Sequence, residues 1–172
     1  MERVELALAG LSPEERRYFD PTHPALGILP SSWFPAEVVH HALDQLSKGL
    51  SEAELDKLAE HGGEAMVKSM MRGAHGIVFS LFISPKRYGR LVKTLWRLNY
   101  DTGTATNQEL GPTCHQGVVS GWKGHHPLLC RLNVAIKLAL YRSIGCKHCT
   151  IEKRYCIARG DPDCGSIIRW DA

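Results

Sequence analysis

Cys156-Ile157-Ala158-Arg159-Gly160-Asp161-Pro162-Asp163-Cys164 sets one cysteine at each end of a turn-forming run. Glycine, proline and aspartate at its centre are turn residues, and the flanking segments, Cys149 to Ala158 and Gly165 to Trp170, read as two strands joined by it. A hairpin of this kind brings its two thiols to one end of a sheet. Upstream, Pro127 opens a long helix with Leu128, Leu132, Ala135, Ile136, Ala139 and Leu140 at helical spacing, and Gly145 is placed to end it. Cys130 falls in the first turn of that helix, where the positive dipole end favours a thiolate.

Working further outward, Thr104 to Leu110 and His115 to Trp122 read as two strands around the Gly111-Pro112 turn. Ser84-Pro85 caps a helix with Tyr88, Leu91, Val92, Leu95 and Trp96 on one face. Ser51-Glu52-Ala53-Glu54 is a capping box. The helix it opens carries Leu55, Leu58, Met66, Val67, Met70 and Met71, with Gly62-Gly63 as an expected break. Another helix starts at Pro35 and stops at Gly49. The beginning of the chain, rich in proline steps such as Leu29-Pro30, reads as a wrapping arm, with a strand at Val4 to Leu8 and a short helix at Pro13 to Phe19. Helices come first and strands mostly later, so the expected class is α+β, with helices packed on an antiparallel sheet. One domain over 1–172 is expected: an arm over 1–34, a mainly helical part with a strand pair over 35–148, and a strand hairpin over 149–172.

The 172 residues are 44% apolar and carry a formal charge of +3 with both signs interspersed. That supports a buried core and gives no electrostatic footprint for nucleic acid. The beginning, Met1-Glu2-Arg3-Val4-Glu5-Leu6, has no apolar signal region. Ile77 to Ile83 and Val134 to Leu140 are too short to span a bilayer, so the expectation is a cytoplasmic protein with no membrane span. No P-loop, GxGxxG, HExxH or GxSxG pattern occurs, and the reading is non-enzymatic.

Six cysteines stand at 114, 130, 146, 149, 156 and 164. Their spacing leaves three readings open: a metal site drawing on Cys130, Cys156, Cys164 and the Cys146–Cys149 pair, a set of inert buried thiols, or a redox pair at Cys146 and Cys149.

Gly145, Glu152 and the Cys156 to Cys164 run together resemble the C-terminal signature of 4-vinyl reductase (V4R) type domains. That module also forms the sensor region of phenol- and toluene-responsive bacterial activators. It shares its fold with TRAPP vesicle-tethering subunits and, more distantly, with haem-based nitric oxide sensors. Pro127-Leu128-Leu129-Cys130 and Trp33-Phe34-Pro35 extend the likeness backwards, and the segment from Phe79 to His126 is similar to standalone myxobacterial paralogues.

The resemblance implies a TRAPP/V4R-like fold and a structural zinc held by Cys130, Cys156 and Cys164 plus one more ligand. The family's carboxylate position falls on Lys153 here, so Glu152 or Cys149 is the expected fourth ligand. It also implies a pocket between helices and sheet for a small hydrophobic or aromatic ligand. Trp96, Tyr100, Trp122, His125, His126 and Met70 are the candidates, and ordinary core packing is the competing reading for the aromatic and methionine positions. His125 and His75 are the available haem ligands, but no other haem feature accompanies them. The implied function is a sensor or adaptor that signals through a homodimer or another protein partner. The alternatives are a TRAPP-like adaptor with no small ligand and an enzyme acting on a small aromatic or tetrapyrrole group.

Overall fold

The computed structural model describes residues 2–28, 32–72 and 84–171. His75, Phe79, the Ile77 to Ile83 stretch and Leu29-Pro30, all singled out in the sequence, lie outside them. Residues 1–55 and 56–172 form two compact units.

In the first unit, α1 (Glu2–Ala9) packs on α3 (Ala36–Ser47), with α2 (Pro13–Arg16) between them in sequence. Val4 to Leu8, expected as a strand, therefore lies in a helix. Five residues are too few to separate the two periods, and Glu, Leu and Ala are strong helix formers. Ala7 is buried, and the Arg3 guanidinium donates to the carbonyls of Leu46 and Lys48 at the end of α3. The helix expected over Pro13 to Phe19 is shorter, although its Ser12–Glu15 capping box is complete. Pro35 is the N-cap of α3 rather than its first residue, and Gly49 leaves the helix with φ 75°.

Helix α4 (Glu52–Met70) begins at the Ser51 cap, whose N–H and hydroxyl both donate to Glu54. It runs unbroken through Gly62-Gly63, against expectation. Gly63 serves close approach instead: a Cβ there would lie 2.8 Å from the Ala135 carbonyl carbon. Helix α5 (Pro85–Arg97) starts at Ser84 as expected, with Tyr88 and Trp96 buried and Leu91 exposed.

Strands β1 (Thr104–Gly111) and β2 (Cys114–Ser120) form a hairpin, α6 (Pro127–Ser143) follows, and β3 (Lys147–Tyr155) and β4 (Cys164–Asp171) form a second hairpin. The sheet is antiparallel in the order β1-β2-β4-β3. The fold is thus α+β, with six helices and four strands among the described residues. Trp122, expected in β2, stands beyond it because Gly121 turns the chain with φ 64°.

Register decides which side chains share a face, since directly opposed residues of antiparallel strands point the same way. One row therefore holds Asn107, Gly117, Ser166 and Lys153, and a neighbouring row holds His115, Ile168 and Ile151. Two buried clusters result. One gathers Val67, Tyr88, Leu140, Tyr141, Cys149 and Ile168; the other gathers Trp96, Ala105, Trp122, Cys130, Cys156 and Cys164.

Candidate metal centre and adjoining cavity

The second cluster contains a compact set of donors. Cys130 stands in the first turn of α6, where its N–H donates to the His126 carbonyl over 2.9 Å. Cys156 follows β3 and Cys164 opens β4, joined by a 3₁₀ turn over Ile157–Arg159. The Asp161 carboxylate accepts from the Cys156 N–H at 2.6 Å and fixes that turn. The three sulfurs are 3.8, 3.6 and 3.7 Å apart.

The fourth donor is His125. Its Nε2 lies 3.7 Å from the Cys156 sulfur, and all four donor atoms fall within 4.8 Å of one another. Tetrahedral zinc, with bonds of about 2.3 Å to sulfur, sets its sulfurs about 3.8 Å apart. The observed spacing fits such an ion, and a Cys3His donor set is suited to it.

Neither expected fourth ligand is near. Glu152 pairs with Ile167 in register and lies on the opposite face from Lys153, where Arg154 and Arg169 engage its carboxylate. Cys149 packs in the other cluster, its thiol directed at the Cys146 carbonyl over 3.4 Å. Burial pushes Cys146 up to about 11, the opposite of the lowered pKa that makes a redox thiol reactive. His126 is the N-cap of α6 and accepts from the Leu128 N–H at 3.2 Å. His125, expected at the pocket, stands instead among the thiols, and its place just before a helix cap is the sequence signal that points there.

Lys153 approaches the thiols from β3. Burial pushes Cys130 up and Cys164 to about 12. At Cys156 burial acts in the same sense but is outweighed, chiefly by a hydrogen bond from Lys153, and the net shift is downward. The lysine occupies the place where the resemblance implies a carboxylate, and it adds positive charge beside the sulfurs.

Of the residues expected to bind a ligand, Trp96, Tyr100 and Trp122 come together. Trp96 stacks on Tyr100 with centroids 4.1 Å apart, and Trp122 meets both edge-on at 5.0 and 5.1 Å. The His125 ring lies 5.1 Å from Trp122, joining the aromatic group to the thiols. Met70 is exposed at the end of α4, apart from this group. Trp96 and Trp122 also line a cavity of about 80 Å³ between α5, α6 and the sheet, which sequence reasoning places only in outline. Two buried side-chain polar atoms among the described residues have no hydrogen-bond partner, Asn107 Oδ1 and Trp122 Nε1.

Neither a protein-family profile nor a curated protein matches the chain. Solved structures do. An H-NOX protein from K. algicida, in the unliganded Fe(II) state, aligns over 100% of this chain and 88% of its own, with a TM-score of 0.65 and 11% identity. An H-NOX protein from S. oneidensis in the Fe(II)NO state aligns over 98% and 94%, with a TM-score of 0.61 and 12% identity. The chain thus has the fold of H-NOX proteins. Among the described residues no helix is long and apolar enough to cross a membrane.

Proposed function

We propose that this protein is a non-enzymatic, zinc-containing binding module that senses a small ligand and passes its state to a second copy or another protein. The observation that carries the reading is the convergence of Cys130, Cys156, Cys164 and His125 from two separate parts of the chain. With all four donors supplied by protein, bound zinc would keep no open position for substrate and would act by holding α6 to the β3–β4 turn. The H-NOX fold supports a ligand-sensing role by likeness of architecture alone.

Haem is the group that the fold brings to mind, since one neighbour concerns haem distortion in the H-NOX family. The described residues of the second unit do not fit it. Their cavity is about 80 Å³, and no histidine lines it. His115 is committed to Asn107 and Tyr141, His126 to the helix cap and His148 to Asp171.

Metal analysis of purified protein, paired with native and denaturing intact mass, tests the reading. About one zinc per chain, lost in Cys156→Ser, is the expected result. Stoichiometric iron porphyrin, or no metal at all, would overturn it.

A further inference from the structure

The cavity is built around a lysine. Lys137 projects from the middle of α6, and its ammonium donates to the Ser166 hydroxyl at 3.0 Å. Beneath it, Gly117 provides the necessary space: a Cβ on that residue would lie 2.0 Å from Lys137 Nζ. A glycine in an inner strand weakens the strand, so its place is best explained by the group that occupies the gap. Enclosure pulls Lys137 down to about 8, which still leaves it mostly charged at neutral pH.

Among the described residues, no Asp or Glu lies within ion-pair distance of Lys137, and no acidic side chain lines the cavity. Lys153 adds a second cation, which also hydrogen-bonds the thiols. Tyr88, Val92 and Trp96 supply an apolar side. A buried cation without a counter-ion is costly. That cost is removed by an occupant with negative charge.

Volume limits its size. A water molecule's share of liquid volume is about 30 Å³, so 80 Å³ holds about three waters, or an acid of a few heavy atoms. We propose that the cavity binds a short monocarboxylate of the size of acetate or propionate, its carboxylate on Lys137 and its alkyl part against Val92 and Trp96. This rests on the reading of the protein as a small-ligand module and names the ligand class.

The test is calorimetric titration of the whole zinc-loaded chain with propionate and with propionamide, which has nearly the same shape and no charge. Propionate is expected to bind one to one, and propionamide at least tenfold more weakly. Lys137→Met is expected to reduce propionate affinity at least tenfold with the zinc content unchanged. Equal affinity for the amide, or full propionate affinity in the variant, overturns the anion assignment and leaves the small-ligand reading standing. If neither compound binds the wild-type protein, the monocarboxylate assignment falls, while the small-ligand reading is decided by the native intact mass. The wild-type comparison needs no substitution, so the test does not depend on the variant.

Discussion

The imidazole Nε2 of His125 and the sulfur of Cys156 stand 3.7 Å apart across 31 residues of sequence. The two residues flank different elements, His125 just before the cap of α6 and Cys156 just after β3, and only the folded chain brings them together. Replacement of His125 by Ala should therefore weaken zinc without abolishing it, since three thiolates remain. Cys156→Ser should remove zinc more completely. Glu152→Ala and Cys149→Ser should leave zinc content unchanged, because both side chains point elsewhere. A competition titration with a chromophoric chelator ranks the four; loss of zinc in Glu152→Ala would contradict the assignment of His125.

Gly63 sets the distance between α4 and α6. A methyl group there meets backbone on the facing helix at 2.8 Å, where no side chain can move aside. Gly63→Ala should destabilise the fold by about 1–3 kcal/mol in denaturant unfolding, despite the higher helix propensity of alanine. Gly62→Ala meets only a Leu132 methyl at 3.1 Å and should be milder. Equal effects at the two positions would argue against close backbone packing.

Lys137 makes stability depend on pH in a predictable sense. Its folded-state pKa is lowered to about 8 from 10.5. Below about 8 both states carry the proton and the fold bears the cost of an enclosed ammonium. Between about 8 and 10.5 the unfolded chain binds a proton that the folded chain has released, so stability from this group rises with pH. Of the groups facing the cavity side of the sheet, His115 has its pKa lowered by burial and is neutral throughout that window. Lys153 has its pKa raised by its hydrogen bonds to the thiols, against the pull of burial, and keeps its charge there. Lys137→Met should melt higher than wild type at pH 7, with the gap narrowing as pH rises through the window. A gap that widens would refute the sign.

Ser51 tests the first turn of α4. Its side chain accepts from the Glu54 N–H, and Glu54 reaches back to the Ser51 N–H. Ser51→Ala should cost about 0.5–2 kcal/mol in urea unfolding, whereas Ser51→Asp should retain most of the cap.

The terminal hairpin and the three thiols were legible because turn residues at 160–163 fix which strand ends meet, and helix spacing from Pro127 fixes where Cys130 points. The capping boxes were legible for the same local reason. The fourth donor was not. Choosing between Glu152 and Lys153 requires the register of β3 against β4, which neither residue reveals by itself. Finding His125 requires knowing that His126 is spent on capping α6. The strand expected at Val4 to Leu8 failed because a short alternating run fits either period. The break expected at Gly62-Gly63 failed because glycine also serves helices that touch, and the partner, at Ala135 on α6, is far along the chain. The cavity around Lys137 depends on Gly117, a pairing of a strand residue with a helix residue that no local pattern encodes.

The edge-to-face contact between Trp122 and His125 gives the protein an optical reporter of its own. An imidazole that gains or releases a cation changes the electric field on the indole beside it, and Trp96 and Tyr100 are near enough to share the excitation. Emission from this group should thus follow metal loading in real time, with no dye attached, while Trp170, packed on Tyr141 in the other cluster, adds a signal that does not change with the metal.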